Sequence, residues 1–239
     1  TVNMVYDSHR GKVIATGYDY NSSGSAMWEW DGTGWSPAGG QKPEQGFGQG
    51  DAIAYDRSRQ VLVYQYHSQT WEWDNGWLKK DPSTNPFSSR ENHAMGYDPV
   101  SQKVILFGGY ESSNWENPCN SGNSNSQICD DTWAWDGSDW EKVNVTLVDG
   151  QAQSKAAPSA RQRHQMILDE SRNRLLLFGG TDYDSTSSPN TDSNYYNDLW
   201  EWTGEGWESV PAGSDVPRGR SDFALAYHPG QGALVVYGG

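Results

Sequence analysis

The sequence predicts an all-β fold built from short antiparallel hairpins, and three observations support this. Aromatic residues are abundant, since the 239 residues include 13 Trp and 13 Tyr, whereas all hydrophobic types together reach only 34 %. The chain also holds 27 Gly, which favours tight turns over long helices. Finally, the tryptophans are periodic. Large β-preferring side chains at regular spacing, separated by turn residues, are typical of repeated strands.

The first repeated unit is a tryptophan hairpin, whose first copy runs from Trp28 to Trp35 with the pattern Trp-Glu-Trp-Asp-Gly-Thr-Gly-Trp. Two Trp at i and i+2 lie on one face of a strand. The Asp-Gly that follows is a tight hairpin turn, so the third Trp opens the returning strand. Four copies of three account for twelve tryptophans, which we expect to form the core. The other copies begin at Trp71, Trp133 and Trp200.

The second repeated unit is an apolar hairpin that alternates with the first. Each copy is an apolar strand, a short turn that begins at Asp or His, and a Val/Ile/Leu-rich strand that ends near Gly. Continuous apolar runs such as Val104 to Phe107 indicate strands that are buried on both faces. The five copies begin at Met4, Ala52, Ala94, Gln165 and Ala224.

One apolar hairpin and one tryptophan hairpin together give four antiparallel strands, which form one blade of a β-propeller. We predict a single domain over residues 1–239 with about four and a half blades. The predicted blades are 1–40, 41–82, 83–149 and 150–213, followed by a partial fifth blade at 214–239. Because such a ring would leave strand edges unpaired, we expect a six- or seven-bladed ring, completed by further residues or by strands of another chain.

At this level the chain resembles the kelch repeat, in the form found in bacterial proteins and in the central domain of galactose oxidase. The resemblance covers essentially the whole chain, although Thr16-Gly17 and Tyr64-Gln65 replace the usual glycine pair in the first two copies. It rests on the Trp-x-Trp-Asp-Gly hairpins, on Arg-x-x-His before the inner strands, and on Gly-Gly after the second strand. These motifs are Arg90 to His93, Arg161 to His164, Gly108-Gly109, Gly179-Gly180 and Gly238-Gly239.

Unequal loop lengths indicate where binding occurs. Turns on one face of the predicted disc are short, whereas loops on the other face are long, and long loops on a rigid scaffold often carry binding sites. Five aromatic side chains among the Asn, Ser and Asp of these loops resemble an adaptable recognition surface for protein or sugar. Tolerated insertions are the alternative. The candidate partner-binding aromatics are Tyr110, Trp115, Tyr183, Tyr195 and Tyr196.

The mouth of the predicted central channel supplies three further candidate ligand-binding residues. His93 and His164 take equivalent places on neighbouring inner strands, where they could share a ligand or a metal. The alternative is that both are packing residues hydrogen-bonded to the backbone. Arg161 could hold an anionic ligand, although pairing with a loop acid is favoured because a buried charge needs a partner.

Two cysteines in one long loop indicate an oxidising compartment. Cys119 and Cys129 enclose a short polar segment and are predicted to form a disulfide, with half of a metal site as the alternative. Asn21 and Asn144 begin triplets that match the N-glycosylation pattern. We therefore expect an extracellular or cell-surface protein.

Cofactors and several partner classes are not expected. No catalytic motif is recognisable, and a copper oxidase related to galactose oxidase would need a further cysteine for its Cys–Tyr crosslink. Calcium is a weak alternative at Asp182 and Asp184, where a solvated acidic loop is the default. A net charge of −14 disfavours nucleic acid, and no apolar run of 18 residues predicts a transmembrane helix.

The function that the sequence favours is non-catalytic. We expect an extracellular scaffold that binds a protein or glycan partner through its long-loop face. Two alternatives remain: a structural subunit of a surface assembly that is completed by strands of another chain, and the propeller part of a secreted oxidase or hydrolase whose catalytic residues are not evident.

Overall fold

In the computed structural model, the described residues form β-strands and connecting turns. The structure describes residues 2–19, 24–39, 43, 46–48, 50–85, 87, 89–111, 119, 127–143, 157–183, 194–211, 213 and 215–239. No helix long and apolar enough to cross a membrane occurs in this part of the chain.

Four antiparallel sheets of four strands each form the blades, and the strand order in every sheet follows the chain. Blade 1 contains β1 (Val2–Asp7), β2 (Lys12–Asp19), β3 (Gly24–Trp30) and β4 (Trp35–Pro37). Blade 2 contains β5 (Ala52–Asp56), β6 (Val61–Tyr66), β7 (Gln69–Trp73) and β8 (Trp77–Lys80).

The third and fourth sheets follow the same order. Blade 3 contains β10 (Ala94–Asp98), β11 (Lys103–Phe107), β13 (Thr132–Trp135) and β14 (Trp140–Lys142), and β9 (Arg90–Glu91) pairs beside it with β12 (Tyr110–Glu111). Blade 4 contains β15 (Gln165–Asp169), β16 (Arg174–Phe178), β17 (Leu199–Trp202) and β18 (Trp207–Val210). A final hairpin consists of β19 (Phe223–His228) and β20 (Ala233–Gly238).

The architecture confirms the predicted β-propeller. The first strand of each unit packs beside the first strand of the next, in the order β1, β5, β10, β15, β19, and these inner strands surround a central channel. The predicted burial of the second strands is also confirmed, since Val104 to Phe107 of β11 are all buried. The core lies between neighbouring sheets, where apolar strands of one blade meet tryptophans of the next.

Tryptophans connect successive blades through their indole N–H groups. Trp140 donates to Oγ1 of Thr70 in the preceding blade at 2.9 Å, and Trp207 donates in the same way to Oγ1 of Thr132 at 3.1 Å. Blade 1 differs from the expectation that all twelve tryptophans are core residues. There Trp28 and Trp35 are 39 % and 50 % exposed, because no described residue covers that face of the blade.

Glycine pairs allow the blades to approach one another closely. The backbone N–H of Gly109 donates to the carbonyl of Arg161 at 2.9 Å, and Gly180 donates to the carbonyl of Arg220 at the same distance. Gly108 has a φ of 63°, and a Cβ added there would lie only 2.6 Å from the carbonyl oxygen of Arg161. Only glycine fits such a position.

Candidate functional site

The central channel opens into a cavity of about 460 Å³ at the face that carries the long loops. All five inner strands, or the residues just before them, contribute to its lining. Its polar lining includes Asn3, Asp51, Asn92, Arg163 and Gln165, together with His93 and His164.

One structural position recurs around this channel, immediately before the inner strand or at its first residue. The strand registers place Asp51 of blade 2, His93 of blade 3, His164 of blade 4 and Phe223 of the final hairpin at this position. In blade 3, blade 4 and the final hairpin, a glycine pair contacts the residue at this position. A Cβ on Gly109 would meet Cβ of His93, and a Cβ on Gly180 would meet Cβ of His164, both at 2.8 Å. The glycine pairs therefore lie directly against the Cβ atoms of the two histidines.

Both predicted histidines are buried, 5 % exposed for His93 and 1 % for His164. Neither ring nitrogen of either side chain makes a hydrogen bond of normal geometry to a described residue, and all four nitrogens are shielded from solvent. Burial lowers the pKa of His93 well below its usual value, and the charges of Arg90 and His164 act in the same direction. Burial also lowers the pKa of His164 to about 3, helped by Arg161 and opposed by the nearby backbone of Phe107. Both imidazoles are therefore neutral at pH 7.

The alternative of a packing residue that contacts the backbone fits His164. Its ring meets Phe107 edge-on with ring centres 5.6 Å apart, and a weak hydrogen bond with the Phe107 backbone raises its pKa, although no hydrogen bond of normal geometry to a described residue is present. Phe223 packs against Phe178 in the same manner, also at 5.6 Å.

Asp51 is a channel residue that the sequence analysis did not select. Burial raises the pKa of its carboxyl to about 6, and hydrogen bonds from Tyr64, Asn3 and the Gly48 backbone oppose the rise. The Asn3 amide comes from blade 1, so this contact joins two blades. Asp51 could have been found from its sequence position, because it directly precedes β5 just as His93 directly precedes β10.

Arg161 does not belong to the described lining of the channel cavity, and its guanidinium is fully paired. Its guanidinium donates to both carboxylate oxygens of Asp198 at 2.6 and 2.9 Å and to the carbonyl of Gly179 at 3.0 Å. The ring of Tyr196 lies 4.0 Å from its charged carbon. Burial raises the pKa of Asp198, but the hydrogen bonds and charge of Arg161 lower it, and the net effect is a lowered pKa. The guanidinium charge is thus already balanced by a loop acid.

The described candidate tyrosines divide into two groups. Tyr183 and Tyr195 are exposed, at 45 % and 56 %. Tyr110 and Tyr196 are partly buried, and each hydroxyl is already hydrogen-bonded. The Tyr110 hydroxyl donates to Gln127, and the Tyr196 hydroxyl donates to Asp182 at 3.2 Å. Both are held in the scaffold. Trp115 lies outside the described residues.

A polar network connects the exposed Tyr183 to the channel rim. Gln162 donates through Nε2 to the Tyr183 carbonyl at 2.6 Å and accepts from Nδ2 of Asn92 at 3.0 Å. The backbone N–H of Asn92 donates to the carbonyl of Gly50, and that of Arg163 donates to the carbonyl of Asn92. Neither Asn92 nor Gln162 was selected from the sequence, because only the blade arrangement brings them together.

The predicted disulfide between Cys119 and Cys129 is present. The Cys129 N–H donates to the Gly109 carbonyl at 2.8 Å, and its own carbonyl accepts from the Arg161 N–H at 3.1 Å. One end of the long loop of blade 3 is thereby fixed between Gly109 and Arg161. The glycosylation candidates Asn21 and Asn144 lie outside the described residues.

Asp182, one of the two residues named for a possible calcium site, is hydrogen-bonded within its own loop. Its carboxylate accepts from the backbone N–H of Asn194 at 2.6 Å, from Nδ2 of Asn194 at 2.7 Å and from Tyr196. Its suggested partner Asp184 is not among the described residues. Within the described ranges, no group of three or more His, Cys, Asp or Glu side chains is arranged to hold a metal ion.

These blades and the channel define a β-propeller of the kelch type. In the comparison with family models, the KLHDC2/KLHL20/DRC7 Kelch-repeats domain matches residues 47–239. The chain therefore belongs to the kelch-repeat family, as its motifs predicted. Kelch propellers commonly serve as scaffolds for protein interactions. No curated protein sequence matches the chain.

Three solved structures are similar to the chain at low sequence identity. A structure described as that of YjhT is 17 % identical with a TM-score of 0.50, over 87 % of this chain and 68 % of that one. A protein of unknown function from Bacteroides thetaiotaomicron is 12 % identical with a TM-score of 0.46, over 85 % of this chain and 57 % of that one. A chain of a nidogen/laminin complex is 11 % identical with a TM-score of 0.49, over 98 % and 78 %.

Proposed function

We propose that this protein is a non-catalytic interaction scaffold that binds a protein partner through the loops around the channel mouth. The observation that carries this proposal is the pair of exposed tyrosines, Tyr183 and Tyr195, held on a rigid frame. Thr181 forms isolated β-bridges with Tyr195 on one side and with Gln162 on the other. Both ends of the loop that carries the two tyrosines are therefore fixed. Tyrosines offer large contact area at low entropic cost, and they are frequent binding hot spots.

The partner class follows from the family rather than from the site. Kelch propellers commonly bind proteins, so a protein is the first choice. A glycan remains the alternative, since exposed tyrosines beside the exposed side chain of Asn194 also suit sugar rings.

An extracellular or cell-surface location is part of the proposal. It is supported by the disulfide, because such bonds persist mainly in oxidising compartments. Protein isolated from its native source should resist thiol alkylation until it is reduced. Two freely alkylated cysteines in such a sample would contradict this location.

The test compares a double variant, Tyr183→Ala with Tyr195→Ala, against wild type. Partners are captured by cross-linking to cell-surface material of the source organism and identified by mass spectrometry. The affinity of the identified partner for purified protein is then measured by titration calorimetry. Loss of two hot-spot tyrosines should weaken binding by about tenfold or more.

Val100→Ala is the matched control. Val100 is also an exposed hydrophobic residue, but it lies in the short turn between β10 and β11 on the opposite face. The control should bind as wild type does. Equal binding by the tyrosine variant and wild type would show that this loop face is not the binding surface.

A second candidate function, assembly with other copies, has its own observation. The registers of blade 1 place Met4, Tyr6, Trp28 and Trp35 on one face of the sheet, and all four are exposed. On the final hairpin, Val235 and Tyr237 are exposed in the same way. These two faces correspond to the two sides of the contact between blades 3 and 4.

A further inference from the structure

Blades 1, 2 and 4 share an arginine–glutamate pair that blade 3 lacks. In each of the three, an arginine lies three residues after the turn aspartate and pairs with that aspartate and with a glutamate of the third strand. In blade 3, Ser101 takes the arginine position after Asp98, and Ala134 takes the glutamate position opposite Ile105. The complete sets are Asp7, Arg10 and Glu29 in blade 1, Asp56, Arg59 and Glu72 in blade 2, and Asp169, Arg172 and Glu201 in blade 4.

Where these two side chains are absent, a cavity of about 320 Å³ lies between blades 3 and 4. Ser101 and Ala134 line it from blade 3, and Trp202 and Gly204 line it from blade 4. Ser101 belongs to the turn between β10 and β11, and Gly204 belongs to the turn between β17 and β18. The cavity therefore lies at the short-turn face, opposite the long loops.

In the complete blades, a guanidinium lies in the equivalent space. The charged carbon of Arg10 is 3.9 Å from the ring centre of Trp73, the second tryptophan of the next blade's hairpin. Arg59 lies against Gly137 in the hairpin turn of the next blade, because a Cβ added to Gly137 would lie 2.5 Å from Nη1 of Arg59. The corresponding tryptophan and glycine of blade 4 both line the cavity. The cavity thus corresponds to the guanidinium position of the other blades.

Blade 3 also keeps an acid that can hold a guanidinium. In blade 1, Glu29 pairs with both Arg10 and Lys12. Lys103 takes the place of Lys12 in blade 3, and its ammonium pairs at 2.8 Å with Glu141, which lies directly opposite the alanine on the neighbouring strand. The acid is therefore supplied by β14 instead of β13, and the arginine is the missing member of the set. Blade 4 repeats the arrangement of blade 1 with Arg172, Glu201 and Arg174.

Two accessible acceptors face a ligand at this cavity. The Glu141 side chain is 72 % exposed, and a carboxylate can accept from two cations at once. Ser101 is half-buried, and its hydroxyl donates to Asp98 at 2.7 Å, so it offers a ligand only its lone pairs. A group that only donates is therefore favoured, and a guanidinium is such a group.

Anionic ligands are disfavoured at the same place. Lys103 is already paired with Glu141, and Lys142, the other lysine of the lining, lies over the ring of Trp133. A carboxylate would have to displace Glu141 from Lys103. The net charge of −14 also repels anions and attracts cations.

We propose that the cavity between blades 3 and 4 receives an arginine side chain of a protein partner, whose guanidinium binds Glu141 and Ser101. The partner would thereby complete blade 3 as Arg10 completes blade 1. The cavity is near the small end of ligand pockets, so it suits a single side chain. The site lies on the face opposite the loops, and it does not depend on the proposed function.

The experiment titrates a capped five-residue peptide, with arginine at the centre and glycine elsewhere, into the isotope-labelled chain. Binding is followed by NMR through the indole N–H signals of the tryptophans. Peptides with lysine or citrulline in place of arginine are the matched probes. We expect the lysine peptide to bind about fivefold more weakly or worse, and the uncharged citrulline peptide to bind at least as poorly, because only the guanidinium is both charged and forked.

Ser101→Arg supplies the missing side chain from the chain itself. This variant should lose about tenfold or more in affinity for the arginine peptide, because its own guanidinium fills the cavity. Its melting temperature should not fall, since three other blades carry arginine at this position.

Glu141→Gln removes the accessible acid and should weaken binding about fivefold. Because Glu141 is exposed, this variant keeps the proposal testable even if Ser101→Arg is unstable. Glu208→Gln is the matched control. Glu208 is an exposed acid opposite Glu201 on β18, as Glu141 is opposite Ala134 on β14, but blade 4 already contains its arginine. The control should bind as wild type does.

Several outcomes would overturn the inference. Undetectable binding of the arginine peptide, equal binding of the lysine or citrulline peptide, or unchanged affinity in Ser101→Arg would each do so. Equal losses in the Glu141 and Glu208 variants would indicate attraction by overall charge alone. Tighter binding of free L-arginine than of the peptide would indicate a small-molecule site instead of a protein partner. The variant Tyr183→Ala with Tyr195→Ala should keep the peptide affinity, so failure of either proposal leaves the other intact.

Discussion

At the scale of single residues, the arginine and the histidine of the Arg-x-x-His motif differ in their hydrogen bonding. Arg90 donates through both terminal nitrogens to Asp131, as Arg161 does to Asp198. Trp133 also donates to Asp131, at 2.8 Å. The terminal nitrogens of each arginine thus belong to a hydrogen-bonded network with an aspartate, although Nε of Arg90 has no partner among the described residues. The ring of the histidine three residues later makes no hydrogen bond of normal geometry to a described residue.

Asp131→Ala should strongly destabilise the protein. The change leaves the guanidinium of Arg90, only 1 % exposed, without its counter-charge. Loss of one partner from a buried pair costs about 3–5 kcal/mol. The free energy of unfolding is measured by urea denaturation.

Asp222→Ala provides the matched control, because its pair with Arg163 is largely exposed. Exposed pairs contribute about 0–1 kcal/mol, so this variant should resemble wild type. Equal losses in the two variants would show that burial does not determine the importance of these pairs.

At the scale of elements, the chain between the second and third strands must pass very close to the next blade. Gly109 has a φ of 98°, and a Cβ there would lie 2.7 Å from the carbonyl oxygen of Glu91. The backbone N–H of Gly109 also donates to the carbonyl of Arg161 in blade 4. The glycine pair is thus a contact point between blades as well as a turn.

Gly109→Ala should lower the free energy of unfolding by about 1–3 kcal/mol, because a strained backbone conformation and a close contact add. Thermal and urea unfolding both measure the change. Gly34→Ala is the control. A Cβ at Gly34 meets nothing within 4 Å, so the change should stay within about 1 kcal/mol. A Gly109 variant as stable as the control would refute the argument.

At the scale of the whole molecule, the exposed apolar faces of blade 1 and of the final hairpin match as a pair. In the contact between blades 3 and 4, Ile105 and Phe107 pack against Trp200, Trp202 and Trp207. Val235 and Tyr237 of the final hairpin correspond to the first side, and Trp28, Trp30 and Trp35 of blade 1 correspond to the second. Contact between these faces on different copies would be head-to-tail.

We therefore expect the purified 239-residue chain to associate in a concentration-dependent way, measured by sedimentation velocity. Trp35→Asp or Tyr237→Asp should shift the chain towards the monomer, because each places a charge in an apolar contact. Leu78→Asp is the control, since Leu78 is exposed on β8 away from both faces. A wild-type chain that stays monomeric at all concentrations would exclude this second candidate function.

Much of the fold could be predicted because its signals are local. The aspartate that ends the inner strand accepts two backbone N–H groups of its own turn, as Asp7 does from His9 and Arg10. Asp56, Asp98 and Asp169 repeat this contact. Such turns depend on a few neighbouring residues, and they recur at a fixed spacing, so hairpins, blades and the kelch family were all recognisable.

The candidate site was predictable only in part. Its histidines, Arg161 and the tyrosines were named from motif and loop position, and their binding roles stay predictions. Which tyrosines are exposed depends on neighbours distant in sequence, since Tyr196 is covered by contacts with Arg161 and Asp182. Asp51 and its contact with Asn3 were missed because they are 48 residues apart.

The sequence by itself determined the repeat, the blade and the disulfide, because alternation, turn chemistry and cysteine spacing act over short distances. The tertiary structure decided which side chains are satisfied. Only packing between blades shows that the buried Arg161 has its carboxylate, that His93 and His164 make no hydrogen bond of normal geometry to a described residue, and that Trp28 and Trp35 are uncovered. Burial and pairing depend on neighbours brought together by folding, and a linear pattern does not contain those distances.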